Sequence, residues 1–472
     1  MCKIFLVLLT LLCLNLPAEK YNVLFIISDD LSSRALGAYG NEQCQTPNID
    51  KLASQGTLFT NAYCQFPVCG ASRASFMSGM YPHQTGVLGN NTNPFNSRLG
   101  SRYTMSQNFY KQGYYAARVG KIYHMLIPGN ITEGVSGPDH ADSWNEAFNF
   151  QGNEWFSNGE AEAICKTKLE MDKTKHYRLG FGSAFYSVKV PDAEENLQPD
   201  FRAASKTIEL IDKHTDKPFF LAVGLIRPHV PLVAPKKYFD MYPPEKIKLA
   251  EVVEGDLDDI PKAGHSKTTQ GFGMVEKIKQ QKALASYYAA ATFMDDQVGR
   301  IITHLEKKGL REKTIIVFTS DHGWHLGEHS FWQKMNLHEE AAQVPMIISV
   351  PGQKPQKTST MAELLDLYPT LSDYCGIKIP EHVRGLSLKP VISREKQSVR
   401  DAALCVLRQD CFMLRTEKWA LMQYGDKGQK GYELYDMEND PKQYKNLAKD
   451  QKYSSVLEEM KMKLQAKLKI AK

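Results

Sequence analysis

Two apolar runs far apart in the chain, 21–27 (YNVLFII) and 314–319 (TIIVFT), both stop at acidic residues. The first runs into Ser28-Asp29-Asp30 and the second into Ser320-Asp321-His322-Gly323. Uninterrupted apolar runs of this length suit strands covered on both faces, as in a parallel sheet. Runs of the same character occur at 114–119, 218–225 (PFFLAVGL) and 344–350. Helical patterns separate them. One opens at Thr46-Pro47 and is closed by Gly56; one spans 104–112 and is stopped by Gly113; others span 203–213 and 281–308. Strands alternating with helices predict an α/β fold with a large, mostly parallel sheet flanked by helices.

The pattern changes after about Pro390. Short alternating runs at 402–407, 411–415, 419–423 and 432–435 precede a helical stretch at 454–469. They predict a smaller C-terminal antiparallel α+β domain, 393–472, behind a main domain at 19–392. Residues 152–198 are polar and read as an irregular insertion. At the start, Lys3, the apolar stretch 4–14 and Leu16-Pro17-Ala18 have the layout of a secretory signal, 1–18. Its apolar stretch is too short to span a bilayer. A secreted or periplasmic protein without stable membrane insertion is expected, lysosomal or extracellular in a eukaryote. The net charge of +5 is mild and gives no sign of nucleic-acid binding. Nine cysteines are present and two fall in the leader, so seven remain, an odd number that leaves Cys69 as the natural unpaired one. Cys405 and Cys411 are expected to bridge two paired strands.

In open α/β sheets, ligands bind outside the carboxyl ends of the strands. Asp29, Asp30, Asp321 and His322 stand at two such ends. Each group alone reads most simply as a strand-to-loop turn. Brought together, the carboxylates would repel one another and need a cation, with oxygen-rich sites suiting calcium or magnesium. Lys121 and His124, in Gly120-Lys121-Ile122-Tyr123-His124, follow the run 114–119. His229, in Arg227-Pro228-His229-Val230-Pro231, follows the run 218–225, and Lys334 lies beyond Asp321. Cations and imidazoles past strand ends could hold an anionic group and move protons.

Cys69 lies in Pro67-Val68-Cys69-Gly70-Ala71-Ser72-Arg73-Ala74-Ser75-Phe76-Met77-Ser78-Gly79. Ser72 is expected to cap a helix that continues through 74–77 and ends near Gly79, which sets Cys69 beside a helix N-terminus that favours an anion. Arg73 adds a fixed positive charge, and Gly70 and Ala71 allow close approach.

These segments together resemble the formylglycine-dependent (type I) sulfatases of the alkaline phosphatase superfamily. The motifs GKIYH, RPHVP and DHGWHLGEH are closest to the iduronate-2-sulfatase-like branch. The C-terminal pieces Tyr432-Glu433-Leu434-Tyr435-Asp436, Asp440-Pro441 and Asn446-Leu447-Ala448 also match. Many relatives have Pro where Ala71 stands and Asn where His322 stands. The resemblance implies an alkaline phosphatase-like fold and conversion of Cys69 to formylglycine (3-oxoalanine) by a formylglycine-generating enzyme. It implies one calcium ion, rather than magnesium, held by Asp29, Asp30, Asp321, His322 and the modified Cys69. It further implies that Arg73 supports the hydrated aldehyde and that Lys121 and Lys334 bind sulfate oxygens. His124 would act on the second hydroxyl of the aldehyde hydrate and His229 would protonate the departing alcohol. His325 and His329 match a family segment but receive no chemistry, and Glu328 reads as structural. The implied substrate is a sulfated carbohydrate, with a 2-O-sulfated uronate or similar polysaccharide unit as one form. A phosphodiester or phosphonate ester hydrolase on the same fold, or a non-catalytic sulfated-glycan-binding relative, stand as alternatives. Sequons occur at Asn90 and Asn130.

Overall fold

The computed structural model describes residues 20–92, 94–127, 129–152, 159–166 and 185–472. The expected leader, 1–18, lies outside the described residues. In chain order the strands begin with β1 (Asn22–Asp29), β2 (Thr57–Tyr63), β3 (Tyr115–Gly120), β4 (Glu146–Phe148), β5 (Glu160–Ala163) and β6 (Tyr186–Val190). There follow β7 (Phe219–Pro228), β8 (Leu232–Pro235), β9 (Thr314–Ser320), β10 (His325–Leu326) and β11 (Trp332–Gln333). The last are β12 (Gln343–Ser349), β13 (Gln356–Glu363), β14 (Ala402–Leu407), β15 (Cys411–Thr416), β16 (Trp419–Tyr424) and β17 (Gly431–Asp436).

Eight of them form the main sheet in the order β13-β2-β12-β9-β1-β7-β3-β4. The central run β9-β1-β7-β3 is parallel throughout, so the carboxyl ends of these four strands share one edge. Only β12 runs against its neighbours β9 and β2. Every residue of β1, β7 and β9 is buried, which is why they read as apolar runs. The period of two still sorts their side chains. Val23, Phe25 and Ile27 enter one core, while Leu24 and Ile26 enter the core on the opposite face. The second core is closed by the helices Pro47–Ser54, Pro199–Lys213 and Lys277–Lys307. The first is closed by the helices Cys69–Ser78, Met105–Lys111 and Leu367–Tyr374 and by the C-terminal part.

That C-terminal part is the antiparallel sheet β14-β15-β16-β17 with the helix Ser454–Ala471. Its apolar residues belong to the same continuous core as one face of the main sheet. The insertion at 152–198 is not wholly irregular: β5 and β6 pair, and β6 pairs with β8, in a three-stranded sheet. Their polar composition hid them, since β5 is exposed along its length. No helix among the described residues is long and apolar enough to cross a membrane.

The expected bridge between Cys405 and Cys411 does not form. Register sets Cys405 opposite Met413 and Cys411 opposite Leu407, so the two sulfurs are not cross-strand partners. All seven cysteines of the described residues are free thiols. Cys405 instead neighbours Cys64, whose thiol is pushed up by burial and by that second sulfur.

Glu363, at the end of β13, joins the two parts of the fold. Arg400 Nη1 donates to Glu363 Oε2 at 2.6 Å and its Nη2 donates to Asp366 Oδ1. Leu404 N, Tyr81 Oη and Lys467 Nζ also reach Glu363, at 2.8, 2.7 and 3.4 Å. Breaking one side of a buried pair leaves an uncompensated charge, a loss of about 3–5 kcal/mol. Arg400→Met is therefore expected to lower the free energy of unfolding by that amount, read from a lower urea midpoint by tryptophan fluorescence. A midpoint unchanged from the parent would show that Glu363 and Asp366 are not held by Arg400.

Candidate active site

The shared strand edge gathers the residues singled out above. Asp29 is the last residue of β1, Asp321 follows β9, His229 follows β7 and Lys121 follows β3. Parallel pairing alone therefore brings segments nearly 300 residues apart to one place. Two glycines let the strand ends close up. A Cβ on Gly120 would stand 2.2 Å from the Gly224 carbonyl oxygen, and one on Gly224 would stand 1.9 Å from that of Lys121. Gly120 also has φ +76°, a backbone that L side chains rarely adopt.

The cysteine segment differs from expectation in where its helix begins. The extended N-cap is Val68, so Cys69 is the first helical residue and Gly79 closes the helix in a left-handed conformation. Ser72 N donates to Val68 O at 3.0 Å, which makes Ser72 part of the first turn rather than its cap. Its hydroxyl is drawn instead to the Asp321 carbonyl oxygen. Cys69 Sγ thus sits at the positive end of the helix, fully buried.

Arg73 lies one turn further on and is completely buried. Its Nη2 donates to Asp29 Oδ1 at 3.1 Å and its Nε to Asp321 Oδ2 at 2.9 Å. Its Nη1 donates to the carbonyl oxygens of Lys121 and Ile122. Lys121 Nζ donates to Asp29 Oδ2 at 2.5 Å. Lys334 Nζ donates to Asp30 Oδ1 at 2.6 Å and to Cys69 Sγ at 3.0 Å. Against burial, Lys334 pulls the Cys69 thiol below its ordinary range.

Asp30 turns into the site through a left-handed backbone, φ 61°. Its Oδ1 is 3.2 Å from His322 Nε2, and that nitrogen is 3.3 Å from Cys69 Sγ. His322 Nδ1 donates to the Gly323 carbonyl at 2.9 Å, leaving Nε2 to face the carboxylates. His229 Nδ1 pairs with the Val230 carbonyl at 2.5 Å, and its Nε2 is 3.5 Å from Asp30 Oδ2. His124 is buried and neither of its ring nitrogens has a hydrogen-bond partner. Burial and the nearby Lys121 push it down to about 3, so it is neutral. It lines a cavity of about 290 Å³ with Gly70, Thr92, Phe95 and Tyr123.

The donor atoms fit a hard cation. Oxygens of Asp29, Asp30 and Asp321 all lie within 4.8 Å of one another, as do atoms of Asp30, Cys69 and His322. Asp30 Oδ2 is buried with no hydrogen-bond donor. Burial pushes the Asp30 carboxyl well up, and Asp321 and Cys69 push His322 up to about 9 despite burial. Both shifts are those of a cage that draws in positive charge beyond Arg73, Lys121 and Lys334. Every site residue expected from sequence therefore lies in or beside one cluster.

Several supporting residues carried no sequence signal. Tyr287, on the long helix, donates its hydroxyl to Asp30 O at 2.7 Å and accepts from Ser32 N at 2.8 Å. Asp200 accepts from Ile226 N and Arg227 N at 2.8 and 2.9 Å and so sets the turn that carries His229. Trp324 lies beneath Lys334, with Nζ 5.5 Å from the ring centroid. A buried Tyr on an apolar helix face and an Asp in a helix's first turn look the same in sequence as ordinary core and cap residues.

The arrangement accords with known proteins. Residues 21–377 match the family model described as Sulfatase, and residues 327–469 match that of N-sulphoglucosamine sulphohydrolase, C-terminal. The chain is 33% identical over 430 residues to the Iduronate 2-sulfatase of Homo sapiens, covering 82% of this chain and 74% of that one. It is 31% identical to the Arylsulfatase of Clostridium perfringens, covering 92% and 91%. A solved structure described as a 2-O GAG sulfatase superposes with a TM-score of 0.71 at 25% identity, over 96% and 93% of the two chains. On the cage at the strand edge, the fold and these matches together, the chain belongs to the sulfatase family, sulfuric ester hydrolases of the alkaline phosphatase superfamily.

Proposed function

We propose that this protein removes sulfate from a sulfated carbohydrate, using a formylglycine made from Cys69 and a calcium ion held by Asp29, Asp30, Asp321, His322 and the converted Cys69. The position of Cys69 carries the reading: its sulfur lies inside the cage, 3.7 Å from Asp30 Oδ1 and 3.3 Å from His322 Nε2. Because that side chain is fully buried, conversion by a formylglycine-generating enzyme has to precede closure of the site. Once converted and hydrated, Cys69 supplies a hydroxyl nucleophile in place of a thiol. The calcium ion, when bound, supplies charge that polarises the hydroxyl and sulfate oxygens.

The remaining work falls to the side chains. Arg73 holds Asp29 and Asp321 in place from the same helix that presents Cys69. Lys121, held on Asp29, and Lys334, held on Asp30 and Cys69, place ammonium groups beside the cage, suited to the sulfate oxygens as charge builds on them. His229, oriented by the Val230 carbonyl and held neutral by burial in the free site, takes up a proton with the anionic substrate and delivers it from Nε2 to the leaving alcohol oxygen as its bond to sulfur breaks. His124, neutral and unpartnered, takes the proton from the second hydroxyl when sulfate is expelled. Overall one water is consumed, and an alcohol and sulfate are released. A 2-O-sulfated uronate at a chain end is the first candidate substrate. Its support is the relative named Iduronate 2-sulfatase and the neighbour described as a 2-O GAG sulfatase. The apolar leader supports a secreted or periplasmic location.

Mass spectrometry of the Cys69 peptide is expected to show the CH2SH group replaced by CHO, and Cys69→Ala is expected to lose about 10⁴-fold or more in kcat. A fully active enzyme with an unmodified thiol would sink the mechanism. His229→Ala is expected to lower kcat about 10²–10⁴-fold on a sulfated sugar but far less on an aryl sulfate, whose phenolate leaves without a proton. Equal losses on both substrates would remove His229 from the acid role. Exhaustive chelation followed by desalting is expected to abolish turnover, with recovery on adding calcium. Faster turnover of a matched phosphonate monoester or phosphodiester than of the sulfate ester would replace the sulfatase reading of this site. Unchanged glycan binding with no turnover by the parent would favour a binding protein.

A further inference from the structure

The short helix Pro94–Leu99 touches two concave surfaces. Phe95 and Asn96 line the cavity beside His124, and Arg98, one turn on, lines a separate cleft of about 310 Å³. That cleft shares Arg102, His382 and Arg384 with a neighbouring one of about 640 Å³, which also takes in Tyr103 and Lys378. The two are therefore one continuous groove. Arg98, Arg102, Lys378 and Arg384 are all exposed cations. Among the described residues, Glu381 is the one acidic side chain along its walls. Lys472 also borders the groove, but its Nζ is 3.7 Å from Asp426 Oδ1.

Exposed lysines elsewhere on the surface have acidic partners, as in Lys236–Asp240, Lys282–Glu162 and Lys442–Glu251. Among the described residues, no carboxylate pairs with any of the four cations of the groove. Backbone carbonyls hold two of the guanidinium groups instead. Arg102 Nη1 donates to Arg98 O and Arg384 Nη1 donates to Glu381 O, both at 3.0 Å. His382 Nε2 donates to Tyr103 O at 3.1 Å. Burial pushes that imidazole down against this bond, and Arg102 and Arg384 add to the effect, so both arginines stand close to one ring. Cations gathered without counter-charges raise the local potential and attract an anion. Tyr103, 39% exposed, adds an aromatic surface against which the C–H face of a sugar ring packs. Lys111 Nζ, 5.0 Å from the centroid of that ring, adds one more cation beside it.

On the sulfatase reading of the cage, we propose that this groove holds the continuation of the substrate, an extended polysaccharide bearing sulfate and carboxylate groups, while its terminal sulfated unit enters the cage at Cys69. The spacing suits a chain. Arg384 N donates to Gly79 O at 2.7 Å, which sets the groove at the far end of the helix Cys69–Ser78. The ten residues of that helix, at a rise of about 1.5 Å each, put the groove about 15 Å from the reactive position, a span for several linked sugar rings. The helix Pro94–Leu99 supplies the surface between, with Phe95 and Asn96 toward His124 and Arg98 toward the groove. A compact anion would meet only part of a set of cations spread over two clefts, whereas a chain with anionic groups at intervals meets them all. Guanidinium groups take sulfate and carboxylate oxygens in pairs, and Lys378 serves as a point charge.

The test uses the full chain carrying Cys69→Ala, which binds without turnover, and heparin disaccharide and hexasaccharide as probes. Titration calorimetry is expected to find the hexasaccharide bound about tenfold more tightly than the disaccharide, with the difference shrinking as salt rises. Adding Arg102→Gln and Arg384→Gln together is expected to weaken the hexasaccharide about tenfold and to erase its advantage over the disaccharide. With Cys69 intact, the same two changes are expected to remove the preference for the longer substrate in kcat/KM. Equal binding of both fragments by the Cys69→Ala chain overturns the proposal, whether or not the arginine variant folds. A folded arginine variant that keeps the hexasaccharide as tightly overturns it too, as does tighter binding of a single-stranded oligonucleotide or of phosphatidylserine vesicles than of the hexasaccharide. A chain that holds the hexasaccharide through these arginines yet releases no sulfate from it upholds the groove and refutes the sulfatase reading of the cage.

Discussion

Arg73 holds the ends of two parallel strands together. One guanidinium spans Asp29 at the end of β1 and Asp321 after β9, and its third nitrogen reaches the carbonyl oxygens after β3. All three charged groups are fully buried. A single carboxylate there would be expelled or neutralised; two, shared by a planar five-donor cation, are stable and fixed in angle. Because Arg73 lies one turn after Cys69 on the same helix, the contact that closes the sheet edge also sets the reactive position. The electrostatics of the cage and the placement of the cysteine are one constraint.

Two other devices complete the edge. Gly120 and Gly224 allow the β3 and β7 ends to touch, which carries Lys121 close enough to reach Asp29. The strained hairpin region after β9 carries Lys334 to Asp30 and Cys69. At the edge strand of the sheet, the Glu363–Arg400 pair likewise uses buried charge, joining β13 to the C-terminal part.

Much of the scaffold was legible. The buried strands β1, β3, β7 and β9 announced themselves as apolar runs because both of their faces are covered. The C-terminal strands were legible from their short lengths and turns, and β14 spans the residues expected. β13 was not, since as an edge strand it alternates half-buried and exposed residues in its first half and carries few apolar side chains. β5 failed for the same reason. Ser72 was misread as a cap because a serine ahead of an apolar stretch has two uses, and its hydroxyl is claimed by a carbonyl 249 residues away. The Cys405–Cys411 pairing failed because residues can lie on neighbouring strands without being in register.

The sequence by itself determined the chemical inventory: three aspartates, an imidazole, a cysteine at a helix start, two lysines, an arginine and two further histidines, nearly all just past strand or helix boundaries. Strand boundaries are local properties of burial and turn chemistry, so they can be read along the chain. What only the tertiary structure decided is which atoms meet. Parallel pairing and strand order bring Asp29, Lys121, His229 and Asp321 to one edge, and those depend on contacts across hundreds of residues that no window of sequence contains.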